Sequence, residues 1–311
     1  MAESTFETLK VSDWFHHDGF PISVEPRNPQ LPFGLHNHEF CEIVVVTRGK
    51  GLHVTGDEKW PVVAGDAFVI TGDRPHTYDQ MEGLGLLNIL YRPDVLQLDI
   101  QDLAQLPGYF ALFRLEPAWR DRHEFKSRLH LSPMDLSFAT GLFEKLEQEL
   151  AAREPGFRFS ATAIFMEIIT FLSRCYSKSM HSDSQSLLKI AEAIVYLETN
   201  YAEPTDVEQL AQISHMSKRS FVRAFKKATG LSTISYLIRV RVSKSVELLR
   251  REKMSISKIA SLVGYEDSNY FCRLFNSVLG VSPSAYRKQF PTEQPSTSQL
   301  PTYRNNDNPQ D

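Results

Sequence analysis

The segment Phe221-Val-Arg223-Ala-Phe225, followed by Gly230-Leu-Ser232 and Tyr236, recurs as Phe271-Cys-Arg273-Leu-Phe275, followed by Gly280-Val-Ser282 and Tyr286. Upstream, Leu210-Ala211 matches Ile259-Ala260 at an offset one residue shorter, so the difference in length falls within a turn. Internal repetition of this length indicates two copies of one structural unit. Each copy has the pattern of a short helix, a tight turn and a longer helix, which is the outline of a helix-turn-helix.

The longer helix of each copy has one apolar face and one polar face. Phe residues one turn apart are expected to bury together in both copies. The polar face carries Lys218, Arg219, Arg223 and Lys226 in the first copy, and Asp267, Asn269 and Arg273 in the second. Arg and Asn form bidentate contacts with guanine and adenine, whereas an Asp either accepts from a cytosine amino group or caps its helix. These residues predict DNA contacts; the alternative is a helical bundle with a solvated basic face.

The distribution of charge supports a nucleic-acid partner. Residues 210–290 contain 15 Lys and Arg against four Asp and Glu, a net charge of +11. The whole chain has 34 basic and 38 acidic residues, so the remainder has 19 against 34, a net charge of −15. A nearly neutral total therefore combines a cationic module with an acidic one, as expected for a protein that contacts a phosphate backbone.

The region from about residue 186 to 290 resembles the paired helix-turn-helix domain of AraC-type transcription regulators. The resemblance rests on Ile259-Ala260, Gly264-Tyr265, Phe271, Arg273, Phe275, Gly280, Ser282-Pro283 and Tyr286. The first copy departs from the pattern at Thr233, where the second has Pro283. In that family a long helix joins the two units, and the apolar spacing over 235–251 suits one of roughly 25 Å. The resemblance implies two recognition helices in successive major grooves.

Length and composition bound the remaining possibilities. A chain of 311 residues with 42% hydrophobic composition allows two globular domains. No apolar run reaches the roughly 20 residues that cross a bilayer, and the N-terminal residues lack the pattern of a secretory signal. Three cysteines without metal-ligand spacing, Cys41, Cys175 and Cys272, indicate reduced thiols. We therefore expect a cytoplasmic protein with no membrane contact.

From residue 33 the sequence changes to short β-rich runs separated by Gly-containing turns. Strands are predicted over 41–47, 51–55, 60–63, 67–71, 76–78 and 86–91, which suggests a small barrel or jelly roll. The residues before 31 are predicted to form an irregular arm with one edge strand. His36-Asn-His38, Glu42 and Gly49 match the spacing of the first motif of the cupin family, and Gly65-Asp66 followed by His76 resembles the second.

The cupin resemblance implies that His36, His38, Glu42 and His76 could hold one divalent metal ion. Imidazoles with one carboxylate suit Zn, Ni, Fe or Mn. Two other interpretations stay open: these polar groups contact an effector without metal, or they only satisfy one another inside the barrel. No cofactor is certain from the sequence.

The barrel half also resembles the L-rhamnose-operon regulators in 38–46, 49–54 and 88–93. A 6-deoxyhexose needs polar groups for its hydroxyls and an apolar wall for its C–H face. The polar candidates are His36, His38, Glu42, His76 and Asn88, and the aromatic candidates are Phe40, Tyr78 and Tyr91. The resemblance therefore implies a small-molecule effector, with L-rhamnose as the leading candidate.

Two helices are predicted after the barrel, over 132–152 and 159–176, with apolar residues at helical spacing. In AraC-type proteins such helices carry a dimer contact, so a homodimer is predicted; the alternative is packing on their own barrel. The predicted class is α+β: a cupin-like β-barrel (jelly roll) with a helical pair, then an all-α double helix-turn-helix. The boundaries are 1–130 for the effector-binding barrel, 131–179 for the helical dimerisation segment, 180–187 for a flexible linker, 188–290 for the DNA-binding domain and 291–311 for a disordered tail.

The predicted function is an effector-controlled transcription regulator, an activator that binds double-stranded DNA and works with RNA polymerase, and not an enzyme. The alternative is a cupin metalloenzyme, an isomerase or dioxygenase, tethered to DNA. Since a flexible linker cannot transmit a push, we expect the N-terminal arm or a barrel face to dock on the DNA-binding domain without ligand. The opposite charges of the two halves favour such docking.

Overall fold

A computed structural model describes residues 6–56, 58–72, 74–96, 102–117, 129–179, 182–251 and 254–289. The predicted tail over 291–311 lies outside the described residues. The described residues fall into two compact units, the first within Met1–Thr199 and Thr205–Thr233, the second within Asn200–Pro204 and Ile234–Asp311. The first unit contains the sheet, the helical pair and the first helix-turn-helix; the second contains the repeat of that motif.

The N-terminal region is built on β-strands. They are β1 (Glu7–Leu9), β2 (Ile22–Arg27), β3 (His36–His38), β4 (Cys41–Thr55), β5 (Glu58–Val63), β6 (Asp66–Ile70), β7 (Thr77–Tyr91) and β8 (Leu129–His130). Six of them form one sheet in the order β2-β7-β4-β6-β8, with β5 paired to β4. All pairings in this sheet are antiparallel, whereas β1 pairs with β3 in parallel.

Two long strands replace four of the short strands predicted from the sequence. The runs over 41–47 and 51–55 belong to the single strand β4, and those over 76–78 and 86–91 belong to β7. Register shifts between Val46 and Leu52 bend β4 where the sequence shows a Gly-containing break. Gly49 lies in this bend at a φ of +69°, and a Cβ there would collide with the Gly83 carbonyl oxygen.

The N-terminal residues are more ordered than the predicted irregular arm. Strand β2 pairs with β7 over its whole length, from Ile22 opposite Tyr91 to Arg27 opposite Leu86. Leu9, Phe15 and Phe20 are buried. This segment is therefore part of the domain core, because its apolar side chains complete the packing around β7.

The inward face of the sheet divides into an apolar half and a polar half. Buried aliphatic and aromatic residues fill the first: Val44, Val46, Val62, Phe68, Ile70, Leu84 and Leu86. Further along the same strands the inward positions become polar, at Glu42 on β4 and Asn88 on β7. The alternation of a strand places these residues on the face shared by the apolar half, so one end of the sheet interior is left open to a ligand.

The helices are α1 (Val11–Trp14), α2 (Pro107–Phe110), α3 (Pro133–Ala152), α4 (Phe157–Ser177), α5 (Ser182–Thr199), α6 (Val207–Ile213), α7 (Lys218–Thr229), α8 (Thr233–Arg251), α9 (Ile256–Leu262), α10 (Ser268–Leu279) and α11 (Pro283–Gln289). A 3₁₀ turn, Leu103–Gln105, precedes α2, and a π-helix, Ala111–Leu115, follows it. The α+β class is confirmed. Within the described residues, no helix has the length and apolarity needed to cross a membrane.

Capping residues explain several of these boundaries. The side chains of Ser132 and Asp206 accept backbone hydrogen bonds at the starts of α3 and α6, as their sequence context predicts. Gly230 and Gly280 end the two longer helices of the repeat at φ values of +75° and +74°. A left-handed residue at this position favours glycine, so both repeat units end in the same way.

The helical pair buries most of the apolar stripes that suggested a dimer contact. Leu142, Leu146, Ile164 and Ile168 are buried, and α3 packs on α4 and on strands β2 and β7. Phe138 remains half exposed beside Phe171, with ring centroids 4.7 Å apart. The stripes therefore serve packing within the chain, and they do not by themselves support the predicted dimer.

The predicted flexible linker over 180–187 is largely helical. Helix α5 begins at Ser182, six residues before the predicted start of the DNA-binding domain at residue 188. It packs against α2, the 3₁₀ turn and the π-helix, and also against α6 and α7. The buried residues of these elements are mostly apolar, including Leu187, Ile190 and Phe110. Serine-rich composition suggested a linker, but burial of the following apolar face extends the helix.

Candidate functional site

A short bridge brings the two cupin-like motifs together. The backbone N–H of His36 donates to the His76 carbonyl at 3.1 Å, and the N–H of His76 donates to the His36 carbonyl at 2.8 Å. The N–H of His38 donates to the carbonyl of Gly72 at 2.8 Å. Strand β3 is thereby fixed beside His76, the residue that precedes β7. This explains how His38 and His76, 38 residues apart in the chain, share one site.

A cavity of about 340 Å³ opens at this polar end of the sheet. Seven of the eight predicted effector residues line it, namely His36, His38, Phe40, Glu42, His76, Tyr78 and Asn88. Tyr91 does not line it, which corrects the prediction. Tyr91 lies opposite Ile22 and contacts Phe165 of α4, with ring centroids 5.4 Å apart. It is three residues, not two, beyond Asn88, so the strand turns its side chain to the helical face.

Glu42 lies between two buried imidazoles. Its Oε2 is 3.5 Å from the Nε2 of His38 and 3.5 Å from the Nε2 of His76. The Nδ1 of His38 is 2.5 Å from the Phe40 carbonyl oxygen, and the Nδ1 of His76 is 3.2 Å from that of Arg74. A carbonyl oxygen only accepts, so each Nδ1 donates and each Nε2 faces the carboxylate. The lone pair of each Nε2 would repel the lone pairs of the Glu42 carboxylate, so a proton or a cation is needed between them.

The three residues fit a divalent metal site in chemistry and in orientation. One ligand atom from each of His38, Glu42 and His76 lies within 4.8 Å of the others. Histidine ligands of metals usually donate the other ring N–H to a carbonyl or carboxylate, as His38 and His76 do here. His36, the fourth predicted ligand, is outside this cluster. Its Nδ1 lies 2.8 Å from the Gly34 carbonyl oxygen, and its ring is tilted against that of His76, with ring centroids 4.3 Å apart.

The protonation of the site follows from burial and neighbouring charge. Burial raises the pKa of the Glu42 carboxyl, but the hydrogen bonds and positive charge of His38 and His76 outweigh it and hold that pKa well below its usual range. Burial, together with the neighbouring His76, lowers the pKa of His36 to about 4. Glu42 is therefore ionised and His36 neutral at neutral pH.

The N-terminal segment supplies cavity residues that the sequence analysis missed. Glu25 and Arg27 on β2 form an ion pair of 3.2 Å, and the Arg27 guanidinium lies 5.2 Å from the ring centroid of Trp14. Phe33 and the residues over 28–32 complete the same wall. Two charged residues alternating along an edge strand usually indicate a solvated face. Only the pairing of β2 with β7 turns them towards the cavity.

Asn88 of β7 belongs to the cavity wall. It is opposite Glu25 in the β2–β7 pairing and opposite Val44 in the β7–β4 pairing. Its Oδ1 is buried and has no hydrogen-bond partner among the described residues. A buried acceptor without a partner costs stability, so a hydrogen-bond donor supplied here by a ligand would be favourable.

The first helix-turn-helix presents its predicted DNA-contacting residues to solvent. Lys218, Arg219, Arg223 and Lys226 of α7 are exposed, whereas Phe221 and Phe225 on the opposite side of the helix are fully buried. Lys218 also forms an exposed ion pair of 3.3 Å with Glu208. A shallow basic surface on this helix is lined by Arg219, Ser220, Val222, Arg223, Lys226 and Lys227. Its positive charge suits contact with a phosphate backbone.

The second repeat has the same arrangement within its own unit. Asn269 and Arg273 of α10 are exposed, and Phe271 and Phe275 are fully buried. Asp267 is the N-cap, since the N–H of Asn269 donates to its Oδ1 at 2.8 Å. The capping role that the sequence offered as one alternative for Asp267 is therefore present, and its carboxylate remains exposed.

Comparisons with known proteins separate an N-terminal ligand-binding region from a C-terminal helix-turn-helix region. Residues 210–289 match the model of a helix-turn-helix domain, and residues 23–156 match that of an AraC-like ligand binding domain. The chain is 31% identical to the HTH-type transcriptional activator RhaR of Escherichia coli K12 over 280 residues, covering 90% of this chain and 95% of the relative. RhaR of Enterobacter sp. strain 638 is 30% identical with the same coverage.

Among solved structures, the C-terminal domain of AraT, a response regulator from Geobacillus stearothermophilus, is 28% identical; the match covers 37% of this chain and 94% of that one, with a TM-score of 0.33. The assignment rests instead on the two domain matches and on the relatives aligned over nine-tenths of the chain. The chain therefore belongs to the AraC family of transcription regulators, with an AraC-like ligand-binding domain followed by a helix-turn-helix domain.

Proposed function

We propose that this protein is a cytoplasmic transcription activator that binds double-stranded DNA through α7 and α10 and responds to a monosaccharide, with L-rhamnose the leading candidate. The observation that carries the effector proposal is the cavity of about 340 Å³ lined by converging polar and aromatic groups. This volume lies within the roughly 300–1,000 Å³ typical of small-molecule sites. The relatives' name, transcriptional activator RhaR, supports activation as the direction of control.

The cavity has the two kinds of surface that a 6-deoxyhexose requires. Carboxylate, imidazole and amide groups of Glu42, His38 and Asn88 are available to sugar hydroxyls. The rings of Phe40 and Trp14 offer apolar walls for C–H groups. A sugar bound there would contact both the sheet and the N-terminal segment, so ligand binding would stabilise their packing.

The experiment is a thermal melting screen of the full-length protein against a panel of monosaccharides that includes L-rhamnose. A ligand at 100 times its Kd stabilises the native state by about 2.7 kcal/mol, which gives a clear upward shift in melting temperature. We expect L-rhamnose to produce this shift and to increase affinity for the operator DNA. A panel in which no sugar shifts the melting temperature would contradict the proposal.

A second candidate, a cupin metalloenzyme tethered to DNA, is favoured by one observation, the cluster of His38, Glu42 and His76. A bound divalent ion would supply Lewis-acid chemistry there, and these three residues would hold it. Metal content after purification, combined with turnover of candidate sugars, separates the two functions. A stoichiometric metal with measurable turnover would support the enzyme, whereas binding without turnover supports the regulator.

Communication between effector and DNA is proposed to pass through packed helices and not through a loose tether. Helix α5, which leads into the first helix-turn-helix, packs against α2 and the π-helix of the effector-binding region. A ligand shifts an equilibrium only by its different affinity for two states. We therefore expect the contact of α5 with α2 and the π-helix to differ between these states, and we prefer it as the switching surface to an attraction between the oppositely charged halves of the chain. A homodimer and a contact with RNA polymerase belong to the same proposal.

A further inference from the structure

We propose that the effector cavity selects an uncharged, hydroxyl-rich ligand and rejects sugar phosphates and sugar acids, with Glu25 as the residue that sets this selectivity. The inference rests on the proposed function and adds the charge class of the ligand. It is carried by three groups on the β2–β7 wall of the cavity, namely Glu25, Arg27 and Asn88.

The first argument concerns the cations that face the cavity. The guanidinium of Arg27 lies 3.2 Å from the Glu25 carboxylate. The imidazoles of His38 and His76 each lie 3.5 Å from the Glu42 carboxylate. Arg27, His38 and His76 therefore each already face a carboxylate of the protein. A phosphate or carboxylate entering the cavity would displace a carboxylate partner or lie beside one, and like charges at this range are strongly unfavourable.

The second argument concerns hydrogen-bond direction. Asn88 Oδ1 is buried without a partner among the described residues, and Glu25 is directly opposite it in the strand pairing. Both offer acceptors, and Glu42 adds a third on the neighbouring strand. An acceptor needs a donor, which a sugar hydroxyl supplies and a fully ionised phosphate does not. Adjacent hydroxyls on one sugar could donate to Asn88 and Glu25 while Arg27 donates back.

The test is calorimetric titration of the full-length, EDTA-treated protein with two probes, L-rhamnose and L-rhamnose 1-phosphate. The wild-type protein should bind the neutral sugar at least about tenfold more tightly than the phosphate, because the phosphate meets the carboxylates of Glu25 and Glu42 in the cavity wall. Glu25→Gln should weaken binding of L-rhamnose and strengthen binding of the phosphate, since Arg27 then loses its partner.

Two further variants separate charge from shape. Glu25→Asp keeps the negative charge and should keep the preference for the neutral sugar even if both affinities fall. Glu82→Gln removes an exposed carboxylate that pairs with Lys50 at 3.0 Å on the same domain, and it should leave both affinities unchanged. Equal shifts in Glu25→Gln and Glu25→Asp would overturn the role of charge.

The outcomes also distinguish this inference from the function on which it rests. Binding of the phosphate as tightly as the sugar, or more tightly, contradicts the inference but leaves a sugar-responsive regulator intact. Binding of neither probe to the wild-type protein contradicts the rhamnose-type effector and the inference together.

Discussion

The guanidinium of Arg153 donates a hydrogen bond of 2.7 Å to the carboxylate of Asp18, across 135 residues of sequence. Arg158 reaches the same carboxylate at 3.1 Å and the Asp18 carbonyl oxygen at 3.0 Å. The rings of Phe20 and Phe157 pack edge to face beside this pair, with centroids 5.6 Å apart. The N-terminal segment that lines the effector cavity is thus joined directly to the helical pair.

Asp18 should stabilise the fold in a pH-dependent manner. Burial raises its pKa, but hydrogen bonds from the Phe20 N–H and from His16, with the charges of Arg153 and Arg158, lower it from 3.8 to about 2. A lowered carboxyl pKa contributes stability above the unfolded value, lost as pH falls through the folded value. Since the pair is partly exposed, we expect Asp18→Asn to cost ~1 kcal/mol at pH 7. Urea unfolding of the wild-type protein and of the variant should show that their difference in unfolding free energy shrinks as pH falls from about 4 to about 2.

Arg241 should be a major stabilising residue of the second unit. Its guanidinium donates to the carbonyl oxygens of Tyr201 at 2.6 Å, Gly264 at 2.9 Å and Glu203 at 3.2 Å, and it stacks 4.9 Å from the ring of Tyr265. Arg241→Ala leaves these acceptors without their donor, and we expect a loss of about 2 kcal/mol or more.

The matched control for this prediction is Arg239→Ala, an exposed arginine on the same helix, which should change stability by less than about 0.5 kcal/mol. Arg241→Lys should rescue little, because an ammonium cannot reproduce the fork of the guanidinium. Chemical unfolding of the three variants measures both expectations. Equal stability of the Arg241 and Arg239 alanine variants would show the contacts to be unimportant.

Arg223→Ala should relax base preference at one position of the operator. Arg223 is exposed on α7, one turn from Arg219, and a bidentate contact to guanine discriminates by roughly 1–3 kcal/mol. Binding to an operator library, selected first with the wild-type protein, measures the change. Lys59→Ala, which removes an exposed lysine of the sheet domain, should have no effect. Uniform weakening over all sequences with a smaller salt slope would instead assign Arg223 to a phosphate.

The homodimer prediction now depends on a smaller surface than the sequence suggested. The large apolar residues of α3 and α4 that remain exposed include Met134, Phe138 and Phe159, the last at 84% exposure. We expect the full-length protein to sediment as a dimer at tens of micromolar and Phe138→Ser with Phe159→Ser to dissociate it. A wild-type monomer would contradict the prediction, and an unchanged dimer in the variant would place the contact elsewhere.

Control by the N-terminal segment is best tested with a point substitution. Deletion of residues 1–31 would remove strand β2 together with Phe15 and Phe20, which belong to the buried core. Trp14→Ala instead removes only the ring that packs on Arg27 and Phe33. We expect it to weaken sugar binding and to make DNA binding less dependent on effector. Full effector dependence in this variant, measured by gel shift with and without sugar, would argue against a role for the segment.

The sequence by itself determined the repeated helix-turn-helix and its exposed polar rows. Local spacing carries this information, because Phe residues one turn apart and glycine caps act within a single helix. The histidine and carboxylate spacing around His38 and Glu42 likewise identified residues of the cavity, although the two lie on different strands, β3 and β4. These features depend on near neighbours in the chain, so a pattern of a few residues is sufficient.

Only the tertiary structure decided which of the candidate residues share the site. Glu25 and Arg27 look like solvated residues of an edge strand until pairing with β7 places them opposite Asn88 and Leu86. The same pairing turns Tyr91 towards the helices, and the bridge to His76 leaves His36 outside the metal-like cluster. Helix α5 extends through a serine-rich stretch because α2 and the π-helix cover its apolar face. Such outcomes depend on long-range strand register and burial, and neither is encoded in local spacing.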